Sequence, residues 1–167
     1  MAKDDKKENG AAENKQAEQR QIALATQYVK DLSFESPKAP AVFQNKERPK
    51  IDVFIDVKGV KISDDLFESA LTINIKAKHG DETSFIVELT YAGLFALKNI
   101  PEKELEQVLL IFCPNLLFPF ARRVIADATR DGGMMPLMLD PIDFGQLYFQ
   151  RKQQNEGEKK AAADATD

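Results

Sequence analysis

The stretch FESALTINIKAKHGDETSFIVELTY, residues 67–91, carries the clearest periodic pattern in the chain. Apolar or small side chains occupy every second position in residues 67–77, and again in residues 85–91. A period of two is typical of a strand with one face in a core. His79-Gly80-Asp81 lies between the two runs and predicts a hairpin turn. The stretch therefore predicts two neighbouring antiparallel strands.

Two further strands are predicted before this hairpin. Residues 51–57 alternate between apolar and mostly charged side chains. In residues 22–34 the apolar side chains occupy even positions, with Lys30 as the main exception, so we expect Tyr28 on the apolar face. The prolines of residues 36–40 end this first strand because they exclude ladder pairing. The connections are too short for crossover helices, so the four strands are expected to form one antiparallel sheet.

The pattern becomes helical from Pro101 onward. Residues 101–112 place apolar side chains at helical spacing. Cys113-Pro114-Asn115 is expected to interrupt the helix, and a second segment resumes near Pro119 and runs to about Thr129. Residues 144–148 predict a short amphipathic helix near the C-terminus. The whole pattern predicts an α+β domain: a four-stranded antiparallel sheet with a long broken helix and a short C-terminal helix on one face.

The two ends of the chain differ in composition from its middle. The 11 Phe and 3 Tyr residues all lie between Tyr28 and Phe149. Segments without aromatic residues bury too little apolar surface to offset the entropy of ordering. We therefore predict a disordered N-terminal tail at 1–20, one domain at 21–150 and a disordered C-terminal tail at 151–167. The net charge of −4 over 167 residues argues against an electrostatically driven nucleic-acid partner.

The sequence carries no segment that predicts targeting to a membrane. Residues 1–20 lack the apolar core of a secretory signal peptide. The longest apolar stretch, Val108–Phe120, is broken by Pro114 and Pro119 and is too short to span a bilayer. A single Cys allows no internal disulfide. We expect a protein of the reducing cytoplasm, with no direct membrane insertion.

Few residues have the chemistry of a catalytic or metal site. His79, the only histidine, falls in the predicted turn and is expected to be a solvent-exposed polar residue. Cys113 lies in an apolar run and is expected to be a buried structural thiol. His79, Asp81 and Glu82 could supply three metal ligands, so a small metal-dependent hydrolase is a remote alternative. Since glycine motifs for phosphate binding are also missing, we predict no enzyme activity, no cofactor and no metal.

Apolar residues also occur where a soluble domain does not require them. Met134, Met135, Leu137 and Met138 form a loop between two helices, and methionine recurs on surfaces that accept many partners. The alternative, which is more common in general, is that such a loop plugs a core. The helix over residues 109–120 is apolar nearly all round, and one sheet covers only one side of it. We therefore predict that another subunit covers the other side.

Three stretches carry a resemblance to a known family. They are KDLSFESPKAPAVF at residues 30–43, CPNLLFPFAR at 113–122 and PIDF at 141–144. In this order and spacing, the chain from Tyr28 to Phe149 resembles the SecB family of protein-export chaperones. The resemblance implies an ATP-independent holdase that binds unfolded preproteins and delivers them to the SecA motor. It also implies a homotetramer, a dimer of dimers with the long helices between two sheets.

The resemblance assigns roles to particular residues. The implied client-binding groove contains Phe43, Phe54, Met134, Met135, Leu137, Met138, Phe144 and Leu147. The implied SecA-binding face contains Asp31, Glu35, Ile86 and Glu88. The tetramer interface is expected at Leu109, Phe112, Leu116 and Phe120.

The chain departs mildly from the family pattern. Ser36 stands where the family often has Ala, and Phe120 where it often has Tyr. The Trp that some members carry in the proline-rich connector is missing, and Glu47 falls near its position. The alternative function is a SecB-like chaperone dedicated to a single partner such as an antitoxin. Breadth of client binding separates the two functions.

Overall fold

The computed structural model describes residues 19–164, with side chains through residue 157. It contains four strands and a long helix made of three joined segments, followed by a C-terminal helix. The elements are β1 (Gln21–Glu35), a 3-10 turn (Ala41–Gln44), β2 (Lys50–Ser63), β3 (Leu66–His79), β4 (Glu82–Lys98), α1 (Glu102–Gln107), a π-helical segment (Val108–Phe112), α2 (Cys113–Asp131) and α3 (Phe144–Asp164).

The four strands form one antiparallel sheet in the order β1-β4-β3-β2. Strands β3 and β4 occupy the centre, and their hairpin closes at the pair His79 and Glu82. The alternating residues of these strands are buried as predicted: Leu71, Ile73 and Val87 have no exposed surface. The long helix packs on this inner face, where Leu117 is also fully buried. The predicted α+β class and antiparallel sheet are confirmed.

Strand β1 changes its facing twice along its length. Its pairing with β4 shifts between Leu24 and Thr26 and again between Val29 and Asp31. Each irregularity reverses which residues face inward, because side chains alternate with a period of two. Tyr28 lies opposite Ala92, on the outer face of the sheet. The expectation that Tyr28 faces the core was wrong for this reason.

The long helix is irregular one turn earlier than expected. The interruption was placed at Cys113-Pro114-Asn115, whereas the π-helical segment covers Val108–Phe112 and α2 continues through Pro119. Pro114 has no N–H to donate to the preceding turn, so the hydrogen bonds of that turn are displaced. The side-chain amide of Asn115 donates to the carbonyl of Ile111 at 2.8 Å and satisfies a carbonyl in the irregular turn.

The joined helix Glu102–Asp131 is longer than the apolar stretch considered in the sequence. At 30 residues, with a window of mean hydropathy 1.6, it is long and apolar enough to cross a membrane by length and composition alone. In this fold it packs against the sheet, with Cys113, Leu117 and Ala121 fully buried. Core helices of soluble proteins pass the same test, and 39% of this window is buried in the fold.

Helix α3 extends past residue 150, where the C-terminal tail was predicted to begin. It continues to Asp164 through residues rich in Lys, Gln, Glu and Ala, which have high helix propensity. The Arg151 guanidinium also donates to the Asp56 carboxylate and the Ile55 carbonyl, which fastens α3 to β2. Residues 1–18 and 165–167, for which disorder was predicted, lie outside the described residues.

Candidate functional site

An apolar groove of about 600 Å³ lies at one end of the sheet. One wall is the connector between β1 and β2, over residues 42–49. The opposite wall is the loop after α2, over residues 133–137, and the floor includes Ile51 and Phe85. We call this site the apolar groove and residues 132–139 the methionine loop. The two walls come from segments far apart in the sequence, and the sheet brings them together.

Four of the eight predicted groove residues line the apolar groove together. They are Phe43, Met134, Met135 and Leu137. Met135 is 79% exposed and Phe43 is 51% exposed, so large apolar side chains remain accessible. Met138, at the next part of the loop, is also exposed and lines a neighbouring cavity beside Arg122 and Arg130.

The other three predicted groove residues lie elsewhere. Phe54 pairs with Asn74 on the outer face of the sheet and is exposed. Leu147 lines a separate cavity of about 370 Å³ between α3 and the long helix. Phe144 is only 1% exposed and packs edge-on against Phe118 in the core. Its assignment to the groove is corrected, because the first turn of α3 places Phe144 in the core against Phe118 of α2.

Hydrogen bonds from α2 hold the methionine loop in place. The buried hydroxyl of Thr129 donates to the Ile125 carbonyl at 2.9 Å and accepts the backbone N–H of Leu137 at 2.9 Å. The N–H of Met134 donates to the Thr129 carbonyl at 3.0 Å. The loop is therefore a fixed wall with exposed methionines. It is neither a simple plug of the core nor a segment without attachments.

The walls meet at Gly133 and Phe43. Gly133 has φ of 81°, a conformation that side-chain-bearing residues rarely adopt, and an added Cβ would lie 3.0 Å from the Phe43 ring. A glycine at this point lets the loop turn and lets the ring approach the backbone. The neighbouring Gly132 is tighter still, since its added Cβ would lie 2.1 Å from the ring of Phe34.

His79 is not the freely exposed turn residue that the sequence predicted. It is the last residue of β3 and is partly buried, with both ring nitrogens in hydrogen bonds. Nδ1 lies 2.5 Å from the Ser84 hydroxyl, and Nε2 lies 2.7 Å from the Glu47 carbonyl. Asp81 and Glu82 remain exposed. Within residues 19–157 no cluster of three His, Cys, Asp or Glu side chains could hold a metal ion.

Cys113 lies in the core, and its side chain has no exposed surface. Burial raises the pKa of its thiol to about 12, because the charged thiolate would lose its hydration. The reactive form of cysteine is the thiolate, so this residue is held in its unreactive form. The geometry agrees with a structural thiol.

The four residues assigned to the SecA-binding face lie together on the outer face of the sheet. In the pairing of β1 with β4, Glu35 lies opposite Ile86, and Glu88 lies opposite Ser33. Asp31 lies two pairs further along on the same face, opposite Thr90. The three carboxylates are exposed, and no Lys or Arg within the described part of the chain forms an ion pair with them. We call this group the acidic patch.

A second polar cluster on the outer face was not predicted. Glu68 accepts hydrogen bonds from the Tyr28 hydroxyl and, at 2.7 Å, from the Lys30 ammonium group. The hydrogen bonds from Lys30 and Tyr28 hold the pKa of the Glu68 carboxyl below its ordinary value, and the Tyr28 pKa is raised to about 12 by its bond to Glu68. The cluster depends on the irregularity in β1. No local sequence signal predicts that irregularity.

The residues predicted for the tetramer interface separate into two groups. Phe112, Leu116 and Phe120 lie four residues apart on the side of the long helix away from the sheet, and they are 41–45% exposed. Leu109 is 7% exposed and belongs to the core. The Leu109 side chain lies against Gly59, where an added Cβ would be 2.9 Å from the Leu109 Cβ, and its carbonyl accepts the Ser69 hydroxyl. The assignment of Leu109 is corrected accordingly.

An accessible apolar groove beside a fixed wall of methionines is typical of proteins that bind apolar polypeptide segments. The family model of the preprotein translocase subunit SecB matches residues 15–155. The chain therefore belongs to the SecB family. This result confirms the resemblance seen in the sequence.

Curated relatives support the same assignment over most of the chain. The protein-export protein SecB of Rhizorhabdus wittichii is 55% identical over 134 residues, which cover 80% of this chain and 81% of the relative. That of Parvibaculum lavamentivorans is 54% identical over 147 residues, which cover 87% and 86%. The chain is a SecB export chaperone. Members of the family are chaperones of protein export.

A solved structure shares the fold at low sequence identity. The SecB-like chaperone of Mycobacterium tuberculosis, in complex with a peptide from the HigA1 antitoxin, has a TM-score of 0.60 and 16% identity. The match covers 72% of this chain and 90% of that one. At this identity the likeness supports the sheet-and-helix architecture alone.

Proposed function

We propose that the protein acts in the cytoplasm as an ATP-independent holdase that binds unfolded preproteins and delivers them to SecA. The observation that carries this proposal is the apolar groove with accessible Phe43 and Met135. An unfolded preprotein exposes apolar side chains that a folded one buries. Each square ångström of apolar surface buried contributes roughly 25 cal/mol, so a long groove gives affinity without requiring a particular sequence.

The proposed client site consists of the apolar groove and the exposed residues that continue from it. Phe43, Met134, Met135 and Leu137 form its centre, and Met138 extends it along the loop. Phe54 and Leu147 are proposed as outlying contacts for a client long enough to reach them. Methionine suits such a surface, because its flexible and polarisable side chain adapts to many shapes.

The acidic patch is the proposed contact for SecA. Asp31, Glu35 and Glu88 present like charges close together, and Ile86 adds an apolar contact among them. Charge complementarity of this kind speeds association and excludes wrong partners. The acidic patch and the apolar groove occupy different surfaces, so client and motor could bind at the same time.

The proposed assembly is a homotetramer, a dimer of dimers. Phe112, Leu116 and Phe120 form an exposed apolar stripe on the long helix, and exposed stripes of this kind are covered in an assembly. Strand β1 is an edge of the sheet, with unpaired backbone groups along one side. Both features favour association with further copies.

Two variants test the separation of the surfaces. Asp31→Lys with Glu88→Lys should weaken SecA binding at least about tenfold, because it reverses the charge of the acidic patch, and should leave client binding unchanged. Replacing Met134, Met135 and Met138 by Ser should weaken client binding and leave SecA binding unchanged. Titration of labelled SecA and of a labelled unfolded presecretory protein measures both. Equal loss of both activities in either variant contradicts the proposal.

The alternative is a chaperone dedicated to one partner. The structural neighbour from Mycobacterium tuberculosis is described in complex with an antitoxin peptide. The relatives at 54–55% identity are protein-export proteins, which favours the general function. A panel of unrelated unfolded proteins separates the two: a general chaperone binds most of them, and a dedicated one binds a single partner tightly.

A further inference from the structure

We propose that His79 is a positioning residue of the apolar groove, which sets client affinity by holding the connector in place. The inference rests on the proposed function, because it concerns the wall of the proposed client site. His79 comes from the hairpin between β3 and β4, whereas the wall that it holds lies between β1 and β2. It therefore joins a segment without regular secondary structure to the central hairpin of the sheet.

The geometry of the imidazole determines how it acts. A carbonyl oxygen only accepts hydrogen bonds, so Nε2, which lies 2.7 Å from the Glu47 carbonyl, carries a proton and donates it. In the neutral ring Nδ1 is then the acceptor for the Ser84 hydroxyl, at 2.5 Å. Ser84 is 2% exposed and is anchored in β4. The ring is thus fixed on one side by the sheet, and its other side holds the connector.

The connector has few other attachments at this point. Residues 45–49 lie between the 3-10 turn and β2 and have no regular secondary structure. Within this segment the N–H of Asn45 donates to Val42, and the N–H of Glu47 donates to the Asn45 side chain. Both bonds are local. Among the hydrogen bonds of the described residues, the one from His79 alone ties residues 45–49 to another part of the fold.

The wall that His79 holds is a large part of the groove. Residues 45–49 all line it, and Phe43 lies two positions before them. A wall that is already in place spares the client the entropy of ordering it, which raises affinity without any new contact. Loss of the bond to Glu47 should therefore weaken client binding even though His79 need not contact the client strongly.

A matched set of variants separates the two hydrogen bonds of the ring. In His79→Gln the amide nitrogen can reach the position of Nε2 and donate to Glu47. In His79→Asn the shorter amide reaches only the position of Nδ1, beside Ser84. His79→Ala removes both bonds. The probe is a fluorescently labelled presecretory protein kept unfolded by reduction and carboxymethylation, titrated against the full-length chaperone.

The proposal predicts that His79→Asn and His79→Ala bind the probe about fivefold more weakly, the equivalent of one net hydrogen bond, and that His79→Gln stays within about twofold of the wild type. The unfolding free energy of each variant is measured by urea denaturation. Equal affinity in all four proteins overturns the proposal, and so does a loss in His79→Gln as large as that in His79→Asn. The proposal is also overturned if the affinities of the variants correlate with their unfolding free energies and not with the presence of the hydrogen bond to Glu47.

The wild-type protein supplies the control for the function itself. If it does not bind the unfolded probe, the proposed holdase function fails before His79 is tested. A second readout uses the fact that His79 is the only histidine, so that its ring nitrogens give unique NMR signals. The expected spectrum has the proton on Nε2 and changes when the probe binds. A proton on Nδ1 in the neutral ring, or signals indifferent to a bound probe, contradicts the proposal.

Discussion

The central strands and the edge strands of the sheet use their apolar residues differently. In β3 and β4 the inward side chains are nearly all buried, as Ile73 and Leu89 show. In β1 and β2 many large apolar side chains remain exposed: Ile22, Leu24, Val29, Leu32, Val53, Phe54, Val60 and Ile62. The centre of the sheet therefore determines the fold, while the periphery keeps apolar surface available for other molecules.

This difference follows from how little one layer of helix can cover. The long helix lies over the middle of the sheet, where Leu117 and Ile125 are fully buried. The apolar groove, the stripe Phe112-Leu116-Phe120 and the edge strands lie outside its reach. Exposed apolar area of this extent is unusual for an isolated monomer and typical of a protein that binds partners.

The largest effect on the free energy of unfolding is expected from truncating a buried phenylalanine, compared with an exposed one that was assigned to the same groove. Phe144→Ala should lower the free energy of unfolding by about 3–5 kcal/mol, because Phe144 is 1% exposed and its loss leaves a cavity. Phe54→Ala is the matched control and should change it by about 0.5 kcal/mol or less, since Phe54 is 57% exposed. Urea denaturation measures the free energy of unfolding of both variants. Similar losses in the two would contradict the difference between buried and exposed positions.

A smaller effect is expected at the polar cluster on the outer face. Tyr28→Phe removes a hydrogen bond to the Glu68 carboxylate and should lower the free energy of unfolding at neutral pH by about 1–2 kcal/mol. This value is at the lower end of the range for a charged acceptor, because the cluster is partly exposed. The pKa of Glu68 is lowered in the folded state, so its stabilisation is present above the ordinary carboxyl pKa and is lost as pH falls.

The difference in the free energy of unfolding between the wild type and Tyr28→Phe should therefore become smaller as the pH is lowered. At alkaline pH the same bond is lost as Tyr28 ionises, through a pKa of about 12. Denaturation midpoints recorded across the acidic range test the sign. A difference that stays constant as Glu68 becomes protonated would show that the hydroxyl stabilises the fold by other means.

The smallest effect is expected at the hydrogen bond by which Thr129 of α2 holds the methionine loop. Thr129→Val keeps the shape of the side chain but removes the hydroxyl that accepts the Leu137 N–H. Stability should fall by about 1 kcal/mol, and client affinity by about twofold to fivefold as the methionine loop loosens. Thr129→Ser keeps the hydroxyl and should bind clients like the wild type. Unchanged client binding in Thr129→Val would mean that the loop needs no anchor.

The regular parts of the fold could be predicted from the sequence. The period of two in residues 67–91 identified the central hairpin, because both of its strands have one buried face. The helical periodicity after Pro101 identified the long helix. The irregularities in β1 and in residues 108–112 could not be predicted, since they depend on pairing with β4 and on hydrogen bonds displaced by Pro114.

Four of the eight residues assigned to the client-binding groove lie together in the structure, while Phe144 is buried in the core. The methionine loop stood out because its apolar residues lacked periodicity. Phe144 was assigned to the groove by the family resemblance, and Leu109 to the interface because the helix over residues 109–120 is apolar nearly all round. Only the packing of the long helix and α3 shows that both are core. His79 was read as an exposed turn residue, since the Glu47 carbonyl that it binds lies 32 positions away in the chain.

The measurement that tests the account most directly is native mass at micromolar concentration, alone and with a chemically unfolded presecretory protein. We expect a particle of four chains that gains the mass of bound client. We also expect that replacing Phe112, Leu116 and Phe120 by Ser yields smaller folded particles. A wild-type monomer, or a tetramer that does not bind unfolded chains, would contradict the claim that the exposed periphery serves assembly and client binding.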